Sequence, residues 1–220
     1  MSPASGEQTA GEQTIRRAYW DGYYGRSRST SRPLPSQFAT FVAGELAEPH
    51  RIVDFGCGNG RDSLFFALHG HRVVGIDASA AAVEHCTALA ASWGQEIEFR
   101  RLAVEDPDLA AQVPSFAGPT VIYARFFLHA ITEDEEATFL AHAASLTGPD
   151  DLLAVEYRTI RDLSHVKVTE SHYRRFMEPP AFQAAATRHG FAVTYAVEGF
   201  GFAKYKQDDA YVARTILRRR

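Results

Sequence analysis

The segment Val53-Asp54-Phe55-Gly56-Cys57-Gly58-Asn59-Gly60 constrains this chain most. A strand-like run enters three alternating glycines, and a helical pattern starts near Arg61. A side chain at Gly56 or Gly58 would obstruct either the φ > 0 turn or the close approach of a ligand to the backbone. The helix that follows offers N–H groups with no partner inside the helix. Seventeen residues after Gly60, a second strand pattern ends in Gly75-Ile76-Asp77. That spacing sets a carboxylate at the tip of the neighbouring strand, where it can accept hydrogen bonds from both hydroxyls of a ribose.

Two cofactor classes use a glycine loop followed by a distant carboxylate, and the loop itself separates them. A dinucleotide fingerprint has G-x-G-x-x-G, whose last glycine lets helix and strand pack closely beside a pyrophosphate. Arg61 stands at that position here, and the pattern reads D-x-G-x-G-x-G. Asp54 at the strand end can organise the loop and meet a cationic amino group. A cofactor with an amino-acid tail and a ribose but no pyrophosphate fits better than NAD.

Around this loop the chain alternates short β-branched runs with amphipathic stretches, the pattern of a parallel sheet wrapped by helices. Strands are predicted at 51–55, 72–77, 97–102, 120–123 and 152–157, with two final strands at 191–197 and 211–217. A helix is predicted over 36–47, with Phe38, Phe41, Val42 and Leu46 on one face. Gly70 and Gly190 fall where helices need a left-handed cap. Residues 1–14 have the Ser, Ala, Gly, Glu and Gln composition of a disordered leader. The remainder, 15–220, reads as one domain whose residues 15–48 form an N-terminal cover.

The bulk composition narrows the function classes. The 220 residues are 45% hydrophobic, enough for one sizeable core. A net charge of -4, from 23 Lys and Arg against 27 Asp and Glu, gives no general pull towards nucleic acid or an anionic membrane. The only cysteines, Cys57 and Cys86, make neither a disulfide framework nor a metal-ligand set. No apolar run approaches the roughly 18 residues of a spanning helix. The expectation is a cytoplasmic protein that binds no metal.

The segment Val53 to Asp77 resembles the nucleotide-binding half of class I methyltransferases that use S-adenosylmethionine (SAM). Gly56-Cys57-Gly58-Asn59-Gly60-Arg61-Asp62-Ser63 is especially similar to the loop of the TehB-like and thiopurine methyltransferase-like branches. The similarity is at the level of motifs over residues 52–130, and the element order continues to the C-terminus. It implies a doubly wound, seven-stranded, mostly parallel α/β sheet with helices on both faces and a C-terminal antiparallel hairpin. It further implies that the backbone of Gly56 to Gly58 lies against the methionine portion of SAM, with Asp54, Cys57 and Arg61 completing that part of the site. Asp77 would hold the ribose, Ala78 would pack on the adenine, and Glu105 or Asp106 would lie near its amino group. The aromatic block Tyr19-Trp20-Asp21-Gly22-Tyr23-Tyr24 resembles the cover that small-molecule members fold over SAM, with Tyr24 as a cofactor contact.

The acceptor side is read from two clusters. Tyr123-Ala124-Arg125-Phe126-Phe127-Leu128-His129 follows the fourth strand, and Arg125 and His129 share a face if the segment turns helical. They are the candidate catalytic residues, with His129 as a base for a hydroxyl or amine acceptor. Methyl transfer from a sulfonium leans mostly on alignment, so a missing catalytic triad does not count against it. Glu156-Tyr157-Arg158, Arg161-Asp162 and His172-Tyr173-Arg174-Arg175 then gather cations and phenols above one sheet edge. Arg158, Tyr173 and Arg174 are the candidate acceptor ligands, since arginine forks suit carboxylates and phosphates.

The function expected is methylation of O, N or S of a small, anionic metabolite. The alternatives are a protein or RNA methyltransferase and a SAM-binding module without turnover. No Asn-Pro-Pro-Tyr type segment follows the fourth strand and no basic stripe is present, which lowers the nucleic-acid case. The same loop would suit decarboxylated SAM, but the acidic pocket a polyamine needs is not evident.

Overall fold

The structure, a computed structural model, describes residues 5–26, 34–163, 173–204 and 208–220, with side chains from Gly11 onward. Its spine is a seven-stranded sheet of order β3-β2-β1-β4-β5-β7-β6. The strands are β1 (Arg51–Phe55), β2 (Arg72–Asp77), β3 (Glu98–Arg101), β4 (Thr120–Arg125), β5 (Leu152–Arg158), β6 (Phe191–Gly199) and β7 (Val212–Arg219). The first five run parallel, and β7 lies antiparallel to both β5 and β6. The fold class and the closing hairpin are those expected from the sequence.

Alternation along the central strands divides the core into two layers. On one face Val53, Phe55, Ile122 and Ala124 pack against Phe139 and Leu140 of α6 (Glu133–Leu146) and Phe182 of α7 (Pro179–Arg188). On the other, Ile52, Val121 and Tyr123 meet Phe38 and Val42 of α2 (Gln37–Glu45) and Phe66 of α3 (Arg61–Leu68). Both faces being covered, β1 is buried at every position. The two remaining longer helices are α1 (Ser5–Arg26) and α4 (Ala80–Ser92), which pack on each other, and α5 (Leu109–Gln112) is a single turn.

Local chemistry explains the helix ends. Ser36 caps α2 by accepting from Ala39 N at 2.9 Å. Thr132 and Glu135 form a reciprocal capping box at the start of α6. Gly70 and Gly190 follow α3 and α7 with φ of 85° and 83°. The helix α1 begins at Ser5, so it runs through most of the stretch whose composition predicted a disordered leader. Within that stretch Gln13 donates to Glu135 of α6 at 3.3 Å. Among the described residues no helix is long and apolar enough to cross a membrane.

Strand order reverses between β1 and β4, and in open α/β sheets ligands bind at the carboxyl ends of such a switch point. A cavity lies there.

Candidate active site

The loop after β1 is held by its own backbone. The N–H groups of Gly56 and Cys57 both donate to Ile76 O, at 2.8 and 3.0 Å, tying the loop to β2. Gly56 and Gly58 have φ of 68° and 57°, a region that bulky side chains rarely enter. Space is equally tight. A Cβ on Gly56 would come within 2.6 Å of the Phe127 ring, and one on Gly58 within 2.5 Å of the Tyr24 hydroxyl.

Asp77 ends β2 beside this loop. Its carboxylate accepts from Gly58 N at 3.0 Å and from Ser79 N at 2.9 Å. Ser79, which caps α4, donates its hydroxyl to Asp21 of α1 at 2.6 Å. One short network thus joins the glycine loop, the strand tip and the covering helix.

These groups line a cavity of about 800 Å3, within the range of small-molecule and cofactor sites. Asp54, Cys57, Arg61, Ala78 and Glu105 line it as well, so every residue predicted to contact the cofactor faces one space. Tyr24 closes it from α1, and burial pushes its phenol pKa well up, keeping it neutral. Glu105 accepts from Arg17 of α1, whereas Asp106 is occupied by Asp108 N and Gln112 of its own turn. Asp54 is buried and accepts from the Ser63 hydroxyl at 2.6 Å. Its burial raises the carboxyl pKa to about 7, against the opposing effect of that hydrogen bond.

The acceptor side departs more from the sequence reading. Arg125 and His129 both line the cavity, but they do not share a helix face. The strand β4 continues through Arg125, Phe126 has φ of 56°, and only a 3-10 turn follows at Leu128–Ala130. Arg125 donates to Glu156 at 2.8 Å. His129 is buried with its ring edge-on to Phe126 at 5.1 Å, and its carbonyl accepts from Arg175 N at 2.8 Å.

Arg158 is clasped by Asp162 at 2.5 Å and Asp208 at 2.6 Å, deep in the wall. It shapes the cavity more than it offers a fork to a ligand. Tyr173 does not line the cavity; it is 42% exposed, with the Arg16 guanidinium 5.1 Å from its ring. Arg174 does line it. His172 lies outside the described residues.

Two residues escaped the sequence reading. Asp62, inside the quoted loop but given no role, is buried and accepts from Ser36 N and Oγ, both at 2.7 Å, and from the Tyr123 hydroxyl at 2.9 Å. It ties the glycine loop to the start of α2. Its place in the first turn of α3 was the available signal. Phe126 left no signal, because nothing in its neighbours announces a left-handed bulky residue.

Sheet, switch-point cavity and glycine cradle define a nucleoside-binding α/β domain. Residues 52–150 match the methyltransferase domain family. Glycine N-methyltransferase of Rattus norvegicus is 26% identical over 152 residues, covering 63% of this chain and 50% of that one. The chain therefore spans about half the length of the curated relatives it matches.

Two solved structures share the fold. One is the 1,6-didemethyltoxoflavin-N1-methyltransferase of Burkholderia thailandensis, bound to 1,6-didemethyltoxoflavin and S-adenosylhomocysteine. It has a TM-score of 0.67 at 19% identity, over 100% of this chain and 92% of that one. The other is a TehB-like SAM-dependent methyltransferase of Corynebacterium glutamicum, with a TM-score of 0.61 at 15% identity, over 84% and 88%. The chain shares the fold of these methyltransferases, and its residues 52–150 match the methyltransferase domain family.

Proposed function

We propose that this protein is a cytoplasmic, SAM-dependent methyltransferase whose acceptor is a small molecule rather than a nucleic acid. One observation carries the reading. At the β1/β4 switch point the glycine loop has no room for a Cβ at Gly58, and it donates a backbone N–H to a carboxylate at the tip of β2. That is a cradle for a flat nucleoside laid against backbone, with Asp77 in reach of a ribose. The small-molecule part draws support from the size of the cavity, and from relatives named for glycine and 1,6-didemethyltoxoflavin. The cytoplasmic part draws support from the two cysteines, both free.

When bound, SAM supplies a methyl carbon on a sulfonium, whose departure as a neutral thioether needs no acid. The residues of the chain have the remaining tasks. Gly56 to Gly58 present backbone to the methionine portion, Asp54 meets its ammonium, and Asp77 holds the ribose hydroxyls. Ala78 packs against the base, and Glu105, held by Arg17, stands near it. Tyr24 and its neighbours on α1 exclude water. His129, in the 3-10 turn after β4, holds the proton that an O–H or N–H acceptor gives up, and Arg125 fixes the wall beside it.

Calorimetric titration with SAM, S-adenosylhomocysteine and NAD, with Asp77→Ala as control, tests the assignment. Micromolar binding of both sulfur nucleosides, none of NAD, and a loss of roughly 10- to 100-fold in the control is the expected result, since a hydrogen bond to a charged group contributes about 1.5–3 kcal/mol. Folded protein that binds neither sulfur nucleoside would refute it.

A further inference from the structure

Arg17, Asp21 and Tyr24 stand at i, i+4 and i+7 of α1, so they form one stripe along the helix. Each meets the carboxyl end of a different strand. Arg17 pairs with Glu105 in the connection after β3, Asp21 accepts from Ser79 just past β2, and the Tyr24 hydroxyl packs on Gly58 in the loop after β1. The order of these contacts along α1 is the order β3-β2-β1 in the sheet. The spacing agrees as well: four and three residues of helix advance about 6 Å and about 4.5 Å, against roughly 4.8 Å between neighbouring strands. The helix thus crosses the open ends of three strands and touches each in turn.

The middle contact reaches Asp77 through a single residue. Both oxygens of Asp77 are held, Oδ1 accepting from Ser79 N at 2.9 Å and Oδ2 from Gly58 N at 3.0 Å. A carboxylate has about four lone-pair sites, so each oxygen keeps one for a ribose hydroxyl. Ser79 is buried and its hydroxyl is used twice, accepting from Ala82 N at 3.2 Å and donating to Asp21 Oδ1 at 2.6 Å. Anchored from both sides, Ser79 keeps its N–H aimed at Asp77. Burial raises the Asp77 pKa, the hydrogen bonds from Ser79 and Gly58 oppose the rise, and the charge of Asp21 adds to it, so the two acids are within electrostatic reach.

We infer that α1 belongs to the machinery that reads the nucleoside: Asp21, through Ser79, positions Asp77 for the ribose, and Arg17 positions Glu105 for the adenine amino group. The inference rests on the methyltransferase reading, which gives Asp77 and Glu105 those partners, and adds two positioning residues. Asp21 does not line the cavity, so its effect on a ligand passes through Ser79 and Asp77. The Arg17 arm is the weaker one, because its ion pair with Glu105 is partly exposed and water screens it.

The test titrates the full chain and its variants with S-adenosylhomocysteine and two analogues, one lacking both ribose hydroxyls and one lacking the adenine amino group. Each analogue should bind the unaltered chain at least about tenfold more weakly than the parent. In Asp21→Ala the penalty for the missing hydroxyls should shrink to under about threefold, while the penalty for the missing amino group stays within about twofold of its original value. Arg17→Ala should show the mirror pattern at smaller size, cutting the amino-group penalty by about twofold or more. It is the second line of test should Asp21→Ala not fold, since Arg17 is exposed. Asp21→Asn keeps an oxygen that accepts from Ser79, and should keep most of the hydroxyl penalty.

A residue that merely held α1 in place would weaken all three ligands by one factor and leave both penalties as they were. A hydroxyl penalty unchanged in Asp21→Ala, or an amino-group penalty unchanged in Arg17→Ala, overturns the inference and leaves the methyltransferase reading standing. An unaltered chain that binds S-adenosylhomocysteine and both analogues equally also overturns it, since Asp77 and Glu105 would then read neither group. Failure of the unaltered chain to bind S-adenosylhomocysteine takes the methyltransferase reading down first, and this inference with it.

Discussion

The glycine-loop end of the cavity is made of backbone, and the end above β4 and β5 of buried ion pairs. At the first, Gly56 N, Cys57 N and Gly58 N make the defining contacts, and all come from one strand, one loop and the tip of the next strand. At the second, Arg125, Glu156, Arg158, Asp162, Asp208 and Arg214 come from β4, β5, β7 and two connections. The difference teaches which changes each end resists. A backbone cradle is spoiled by adding a Cβ, whereas an ion-pair wall is spoiled by taking a partner away.

Glu156→Ala should bring the largest effect. It leaves Arg125 and Arg214 buried without their shared acid, and breaking such a cluster costs about 3–5 kcal/mol. Urea denaturation reads the loss. Protein that remains folded should bind S-adenosylhomocysteine nearly as before, because the glycine loop touches neither arginine. A destabilisation under about 1 kcal/mol would place this wall among surface pairs and erase the contrast.

Gly58→Val should reverse the pattern, with more harm to binding than to stability. A left-handed β-branched residue costs about 1–2 kcal/mol of fold. The new side chain also fills the cradle and meets the Tyr24 hydroxyl, so S-adenosylhomocysteine affinity should fall more than about 100-fold, or ~2.7 kcal/mol. Adding Tyr24→Phe removes the atom that lies 2.5 Å from the new Cβ and should restore part of the loss. No recovery would mean that backbone strain and direct obstruction account for all of it.

The same contrast explains what the sequence made legible. Six of the seven strands were readable from their β-branched residues, β3 (Glu98–Arg101) having none and being readable only from its place in the alternation, and the cofactor end because its contacts are nearly contiguous. The end above β4 and β5 was readable only as residue types. That Arg158 is clasped by Asp162 and Asp208 depends on bringing together residues up to 50 positions apart. Tyr173 and Arg174 are neighbours in sequence, yet only Arg174 reaches the cavity. The left-handed turn at Phe126 defeated the helical spacing that would have put Arg125 and His129 on one face.

Asp54 gives the subtlest test, because there the cofactor end depends on charge as well as backbone. Its folded pKa of about 7 stands above the ordinary 3.8 because burial outweighs the Ser63 hydrogen bond. The folded state therefore keeps a proton that the unfolded chain has lost. The resulting stability is fully present below about pH 4 and is lost as pH rises through about 7. Cofactor binding should run the other way, since an ammonium favours the ionised carboxylate. From pH 6 to 8, S-adenosylhomocysteine affinity should rise, by no more than about tenfold per pH unit below the pKa. Asp54→Asn should flatten both profiles, and titration of the ligand's own amino group is shared by the two proteins and cancels in their comparison. Identical pH profiles for variant and unaltered chain would show that Asp54 organises the loop without meeting the cofactor's charge, leaving the cradle at this end a matter of backbone alone.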